Sequence, residues 1–153
     1  MIWKPHVTVA AVAEQDGRFL IIEEDVDGRM VYNQPAGHLD AGESLIEAVI
    51  RETFEEAAWT FQPEALVGIQ QWRHPVNEES YLRFSFSGVC LAHHPQQPLD
   101  TGIEQAIWLS RDELAVNPGK LRSPMVLRSV DDYLEGRRYS LDILEHIASD
   151  FGL

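Results

Sequence analysis

At 153 residues, with 44% hydrophobic and 24% charged content, the chain has the make-up of one folded globular domain, able to bury a core without disulfide or zinc staples. Its 12 basic against 25 acidic residues leave a formal charge of −13. That excludes general affinity for a nucleic-acid polymer, which needs clustered Lys and Arg, yet it permits a small phosphorylated ligand when divalent cations sit between the two anions. No apolar run reaches bilayer length, no basic-then-apolar leader opens the sequence, and the lone Cys90 can form no intrachain disulfide, so a cytoplasmic protein with no membrane partner is expected.

In chain order, residues 6–13 (HVTVAAVA) predict a strand, Gln15-Asp16-Gly17 a turn, and residues 18–23 (RFLIIE) a second strand. Asp25-Val26-Asp27-Gly28 lacks the third acid and closing Glu of a calcium loop and reads as a hairpin turn, before a short strand near Met30-Val31-Tyr32. Residues 36–43 (AGHLDAGE) have two glycines and no apolar period, and read as a loop. Residues 44–57 (SLIEAVIRETFEEA) predict a helix, with Ser44 and Glu47 in capping-box spacing and a stripe of Leu45, Ile46, Val49, Ile50 and Phe54. Longer strands follow over 65–74 and 80–92. In the second, Tyr81, Arg83, Ser85 and Ser87 form a polar face against Leu82, Phe84, Phe86 and Gly88, and Cys90 reads as a small buried hydrophobe. His93-His94 reads as solvated loop. Residues 105–109 predict a strand, Ser110 caps a short helix through Glu113 and Leu114, and residues 123–135 and 140–149 predict two further helices. Strands on both sides of one central helix make an α/β or α+β pattern with helices packed on a sheet.

The central helix carries an electrostatic conflict. Glu52, Glu55 and Glu56 stand at i, i+3 and i+4, so their carboxylates share one face, at a cost of roughly 0.2–0.5 kcal/mol per like-charged pair. They also sit in the carboxyl-terminal half, where the helix dipole disfavours anions. Arg51 alone does not neutralise three acids. A hard cation removes the conflict, because Mg2+ prefers carboxylate oxygens while keeping water and substrate phosphate in its shell.

The surrounding spacing makes this more than a solvated acidic face. Gly37, Glu43, Arg51, Glu52, Glu55 and Glu56 fall at the defining positions of Gly-x5-Glu-x7-Arg-Glu-U-x-Glu-Glu-x-Gly-U, with U a bulky aliphatic residue. Residues 37–59 thus resemble the box of the Nudix hydrolases. The resemblance implies a Nudix α/β/α sandwich with a mixed sheet and one catalytic helix, a core over about 5–135, and a helical tail over about 136–153. It implies metal binding by Glu52, Glu55 and Glu56, with Glu56 the first choice of general base. Gly37 would bring backbone close to the phosphates, Arg51 would orient loop and carboxylates, and Glu43 would support them. Thr53, Ala58 and Trp59 depart from the box. Ala58 replaces a glycine that would leave the helix in a left-handed conformation, so a different helix exit is expected.

Further stretches, KPHVTVA (4–10), NQPAGHLDAGE (33–43), LRFSFSG (82–88) and LRSP (121–124), resemble one phosphatase branch of that family. This implies nucleoside di- and triphosphates, thiamine pyrophosphate and hydroxymethylpyrimidine pyrophosphate as substrates. His38 is a candidate to approach the substrate, and Arg83 and Arg122 are candidate phosphate clamps. Trp72 is either core or a stacking surface for a heteroaromatic ring. The family often completes its metal site with an acid upstream of a tryptophan, which makes Glu104, before Trp108, a further candidate ligand. Expected are Mg2+ or Mn2+ as cofactor, a small-molecule pyrophosphate as partner, and a monomer or homodimer. The alternative is a Nudix module that binds a nucleotide without cleaving it; loss of box acids would favour it, and none is lost.

Overall fold

The computed structural model describes residues 1–147. Its elements are β1 (His6–Gln15), β2 (Arg18–Val26), β3 (Arg29–Asn33), β4 (Ala36–His38), α1 (Leu45–Ala57), β5 (Trp59–Arg73), β6 (Ser80–His93), β7 (Ile103–Leu109), α2 (Arg111–Ala115) and α3 (Pro124–Leu134), with short 3-10 turns at Pro118–Lys120 and Leu141–Ile143. The seven strands form one mixed sheet ordered β3-β2-β1-β6-β5, to which β4 adds on β1 and β7 on β2. The parallel pairing of β1 with β6 runs from His6 opposite Tyr81 to Ala13 opposite Gly88.

Alternation along β1 and β2 builds two cores, one on each face of the sheet. Val9, Ala11, Ala13, Leu20 and Ile22 pack with Ala48, Val49 and Ala57 of α1. Val12, Phe19 and Ile21 pack on the other face with Leu114 of α2 and with Val126 and Val130 of α3. The alternating apolar residues of these strands are therefore shared between the two helix layers, which gives the expected α/β/α sandwich. Local chemistry starts the helices: Ser44, Ser110 and Ser123 accept backbone N–H groups of α1, α2 and α3, and Pro124 opens α3.

Several expectations are corrected. Residues 36–38 are a short strand rather than loop, because β1 offers Ala36, Gly37 and His38 an antiparallel partner in Ala10, Val9 and Thr8. β5 begins at Trp59 rather than 65, through bulges that let Pro63 sit on the sheet edge opposite Gly88. The polar face of β6 is interior: Arg83, Ser85 and Ser87 are buried because β6 lies between β1 and β5 under α3. Ser129 of α3 meets Ser85 at 3.2 Å, and Gln70 Oε1 accepts from the Ser129 hydroxyl at 3.2 Å, so this interior polarity is partly satisfied, with Gln70 Nε2 and Arg83 Nε left without a partner among the described residues. The predicted helix over 140–149 is a 3-10 turn followed by non-helical chain to residue 147; residues 148–149 lie outside the described residues. The chain here is held by strand-like pairing instead, since Leu66 and Tyr139 exchange backbone hydrogen bonds of 2.8 Å each.

The helix exit also differs from expectation. Ala58 adopts the left-handed conformation after all, at φ 57° and ψ 33°, and donates its N–H to Phe54. Its carbonyl accepts from His94 N at 2.8 Å, and His94 Nε2 lies 2.7 Å from the Thr60 hydroxyl. His93 ends β6 and His94 ties that strand to the helix exit, so the pair is not a solvated loop. Cys90 is half-buried against the α1-side core, and burial pushes its thiol up to about 12, in keeping with an inert hydrophobe.

Candidate active site

One side of the site is built on Arg51. Its fork donates Nε to Glu43 Oε2 at 3.0 Å and Nη2 to Glu43 Oε1 at 2.7 Å. Nη1 reaches Glu52 Oε1 at 2.7 Å and Glu55 Oε2 at 3.1 Å, and Nη2 also donates to the His38 carbonyl at 3.0 Å. A planar guanidinium suits this bracing of helix and strand in a way that an ammonium would not. The hydrogen bond from Arg51 holds Glu43 below the usual carboxylate range, and Glu43 in turn raises Arg51 above its ordinary value. Glu52 is buried against β4, and burial pushes its carboxyl upward despite Arg51. Gly37 explains how it fits there: a Cβ on Gly37 would collide with the Glu52 carboxyl group. The residue type at 37 is set by this close approach.

Carboxylate oxygens of Glu52, Glu55 and Asp100 lie within 4.8 Å of one another. Asp100 comes from the loop before β7 and is anchored by its N–H to the Glu55 carbonyl at 3.0 Å. No spacing rule links Asp100 to the helix, which is why sequence reasoning missed it. Glu104 stands instead on β7, exposed and outside this group. Glu56 is also outside it: one oxygen accepts the Ala36 N–H at 2.7 Å, and burial pushes its carboxyl up to about 9. Clustered, like-charged oxygens with a single arginine among them are the donor set a hard divalent cation requires, so the residues present fit such a metal.

The other side is a cavity of about 850 Å³, which Glu52 and Glu56 line together with Gly37, His38, Trp72, Arg83 and Arg122. Arg83 is buried, with Nη2 donating to Gln34 Oε1 and Nη1 lying 3.4 Å from Asn33 Oδ1. Its Nε has no partner among the described residues, and burial pushes the guanidinium down to about 10. Gln34 is itself fixed by donating to the Val126 carbonyl at 2.8 Å. Arg122, more exposed, pairs with Glu24 at 3.0 Å. Trp72 is half-buried at the end of β5, stacked on Tyr81 of β6 with centroids 6.0 Å apart and close to His74 at 5.3 Å. Tyr81 and His74 line the same cavity and were not singled out by sequence. Cross-strand register places Trp72 opposite Tyr81, a pairing visible only once β5 and β6 are aligned.

Clustered carboxylates, a buried guanidinium and aromatic rings therefore meet round one cavity of an α/β/α sandwich. The NUDIX domain model matches residues 4–129, and the chain belongs to this family. It is 41% identical over 143 residues to the Phosphatase NudJ of Escherichia coli (strain K12), covering 94% of this chain and 92% of that one. Among solved structures it superposes on a NUDIX hydrolase from Nitrosomonas europaea with a TM-score of 0.94 and 47% identity, over 96% of this chain and 100% of that chain. A MutT NUDIX hydrolase from Burkholderia pseudomallei shares the fold, at TM-score 0.72 and 21% identity, over 85% and 98%. The chain is thus a Nudix enzyme of the pyrophosphohydrolase type. No helix among the described residues is long and apolar enough to cross a membrane.

Proposed function

We propose that this enzyme uses Mg2+, or Mn2+, to hydrolyse the phosphoanhydride bond of nucleoside di- and triphosphates and of thiamine-type pyrophosphates, thiamine pyrophosphate and hydroxymethylpyrimidine pyrophosphate. The observation that carries the reading is Glu52, which belongs both to the three-carboxylate group and to the wall of the cavity containing Arg83 and Trp72. The 41% identity to a phosphatase supports it.

A bound cation neutralises diphosphate charge and makes water more acidic. Glu52 and Glu55 would hold it with Asp100, while Arg51 and Glu43 keep the first two in place. Gly37 and His38 bring backbone to the phosphates. Arg83 and Arg122 bind phosphate oxygens, and Arg83 has a donor to spare. Glu56, once ionised, takes the proton of the attacking water; its buried carboxyl makes it a stronger base than a solvated one. Trp72 stacks on the organic ring, a contact worth about 1–3 kcal/mol that tolerates different rings.

Phosphate and pyrophosphate release over these diphosphates, with inorganic pyrophosphate as the ring-free member, tests the reading. Trp72→Ala should raise KM for the ring-bearing substrates about tenfold and leave the ring-free one nearly unchanged. Equal losses on both classes would assign Trp72 to packing, and absence of turnover over the whole panel would sink the substrate proposal.

A further inference from the structure

Strand register brings together a group that the family box does not name. Parallel pairing sets His6 of β1 opposite Tyr81, and antiparallel pairing sets His38 of β4 opposite Thr8, on the same face as His6. His6 Nδ1 then lies 3.2 Å from His38 Nε2. The His6 ring is stacked on Tyr81 with centroids 5.1 Å apart, and its Nε2 is 3.6 Å from Glu79 Oε2. That same carboxylate oxygen accepts the Tyr81 hydroxyl at 3.1 Å, so ring and carboxylate are fixed relative to each other. Glu79, Tyr81 and His38 all line the cavity. His38 Nδ1 is the free end of this Glu79–His6–His38 chain, with no protein hydrogen bond among the described residues.

Two charge states of the His6–His38 pair fit these contacts. The Glu79 carboxylate, 3.6 Å from His6 Nε2, favours a proton on that nitrogen. With no extra proton, His6 Nδ1 is bare and accepts from His38 Nε2–H, which leaves His38 Nδ1 bare as well. With one extra proton on either ring, His38 Nδ1 carries a hydrogen. If His38 holds the charge, both its nitrogens are protonated; if His6 holds it, His6 Nδ1–H donates to His38 Nε2 and the His38 hydrogen moves to Nδ1. Two imidazoliums this close repel, so one proton is shared. Burial, and His6 after it, hold His38 below its ordinary value, while Asp40 and Glu79 pull the other way. Arg51 acts from the side of the His38 carbonyl.

We infer that His6, oriented by Glu79 and Tyr81, is a positioning residue that places one shared proton on His38 Nδ1, so that His38 donates a hydrogen bond to the diphosphate of the substrate. This rests on the proposed function, since it needs an anionic substrate in the cavity. No bond to phosphorus breaks in the step: as the anion arrives, hydronium or a buffer acid gives up an O–H proton to the ring pair, and His38 Nδ1–H meets a phosphate oxygen. A charge-assisted bond of this kind strengthens binding without touching the reacting phosphorus.

Long-range proton–nitrogen correlation on 15N-labelled protein with Mg2+ reads the His38 ring directly. At pH 8 it should be the Nε2–H tautomer, and adding the non-hydrolysable α,β-methylene analogue of adenosine diphosphate should put a proton on Nδ1. His6→Phe keeps a ring on Tyr81 and removes both nitrogens. It should leave His38 as a mixture of tautomers and raise KM for adenosine diphosphate about tenfold near pH 6.5, with kcat within about twofold. His38 unchanged in tautomer and KM unchanged in this variant would overturn the inference, as would a fall in kcat at constant KM. An inactive parent that still protonates His38 Nδ1 with the analogue supports the inference and sinks only the hydrolase reading. An active parent whose His38 ring ignores the analogue does the reverse.

Discussion

Each side of the site is organised round one arginine, and the two arginines live in opposite surroundings. Arg51 is saturated with charge: it contacts Glu43, Glu52 and Glu55, and its proton is held more tightly than in water. Arg83 is more deeply buried and, among the described residues, bonds only the side-chain amides of Asn33 and Gln34, with Nε left over and its affinity for a proton weakened by burial. The first therefore functions as a brace, its donors spent on the protein. The second holds a positive charge favoured only from a distance by Glu56 and Glu24, with no carboxylate bonded to it among the described residues, and an anionic ligand in the cavity can satisfy it. Buried charge without a carboxylate partner costs stability, and such cost collects at binding sites.

Removing the cation or its ligands should have the largest effect. A chelator should abolish turnover, and Glu52→Gln, which keeps shape and removes charge, should lower kcat at least about a hundredfold with little change in melting temperature. Parent-level turnover by the Gln variant would show that the carboxylate group is not the metal site. Substituting each arginine by Met then separates brace from clamp. Arg51→Met removes the partner of four carboxylates, Asp40, Glu43, Glu52 and Glu55, and should cost about 2–3 kcal/mol, read as a fall in melting temperature of about 5–10 °C. Arg83→Met removes a charge with no carboxylate partner, so the melting temperature should hold or rise, while KM for adenosine diphosphate rises about tenfold or more. Matching stability losses in the two variants would erase the distinction.

The two sides also differ in how far the sequence discloses them. The brace is written in about twenty consecutive residues, because helical period places Arg51, Glu52, Glu55 and Glu56 on one side of α1 and the box fixes Gly37 and Glu43. The turns and the serine caps are legible for the same reason, being chemistry between near neighbours. The clamp side joins residues from β1, β3, β5 and β6, and the parallel β1–β6 pairing that aligns them leaves no local signature. Arg83 looks like a surface residue by alternation, and only the central place of β6 buries it. Asp100, Tyr81 and the His6–His38 pair are invisible for the same reason, and Glu104 misled because its distance from Trp108 says nothing about where the strand places it. β4 escapes because three residues paired on β1 carry no period of their own.

A smaller effect separates the acids within α1. Glu56 has its carboxyl pushed by burial from 4.5 to about 9, and Glu52 is shifted in the same direction. A carboxyl raised in the folded state keeps its proton where the unfolded chain has lost it. Metal-free stability should therefore fall as pH rises from about 4.5 towards about 9, the opposite of an ion-paired carboxylate such as Glu43. Mg2+ binds the ionised form, so its stabilising increment should grow over the same window. Melting curves without metal should lose most of this slope in Glu56→Gln. A slope unchanged in that variant would assign it to other groups.

The smallest effect tests the end of α1, where the box expects glycine and Ala58 stands in the left-handed region. That conformation costs an L residue about 1–2 kcal/mol. Glycine would relieve it, but at about 0.4–1 kcal/mol of extra unfolded-chain entropy. Ala58 is also only 3% exposed, so its methyl contributes up to about 0.8 kcal/mol of burial that glycine forfeits. The terms nearly cancel, which is how alanine is tolerated here while the His94–Ala58 hydrogen bond holds the exit in place. Ala58→Gly should consequently move the melting temperature by less than about 2 °C and leave kcat unchanged. A rise of more than about 4 °C would mean that backbone strain dominates and the methyl packs poorly. A comparable fall would mean that the packing of Ala58, rather than its conformation, sets the angle at which β5 leaves the helix.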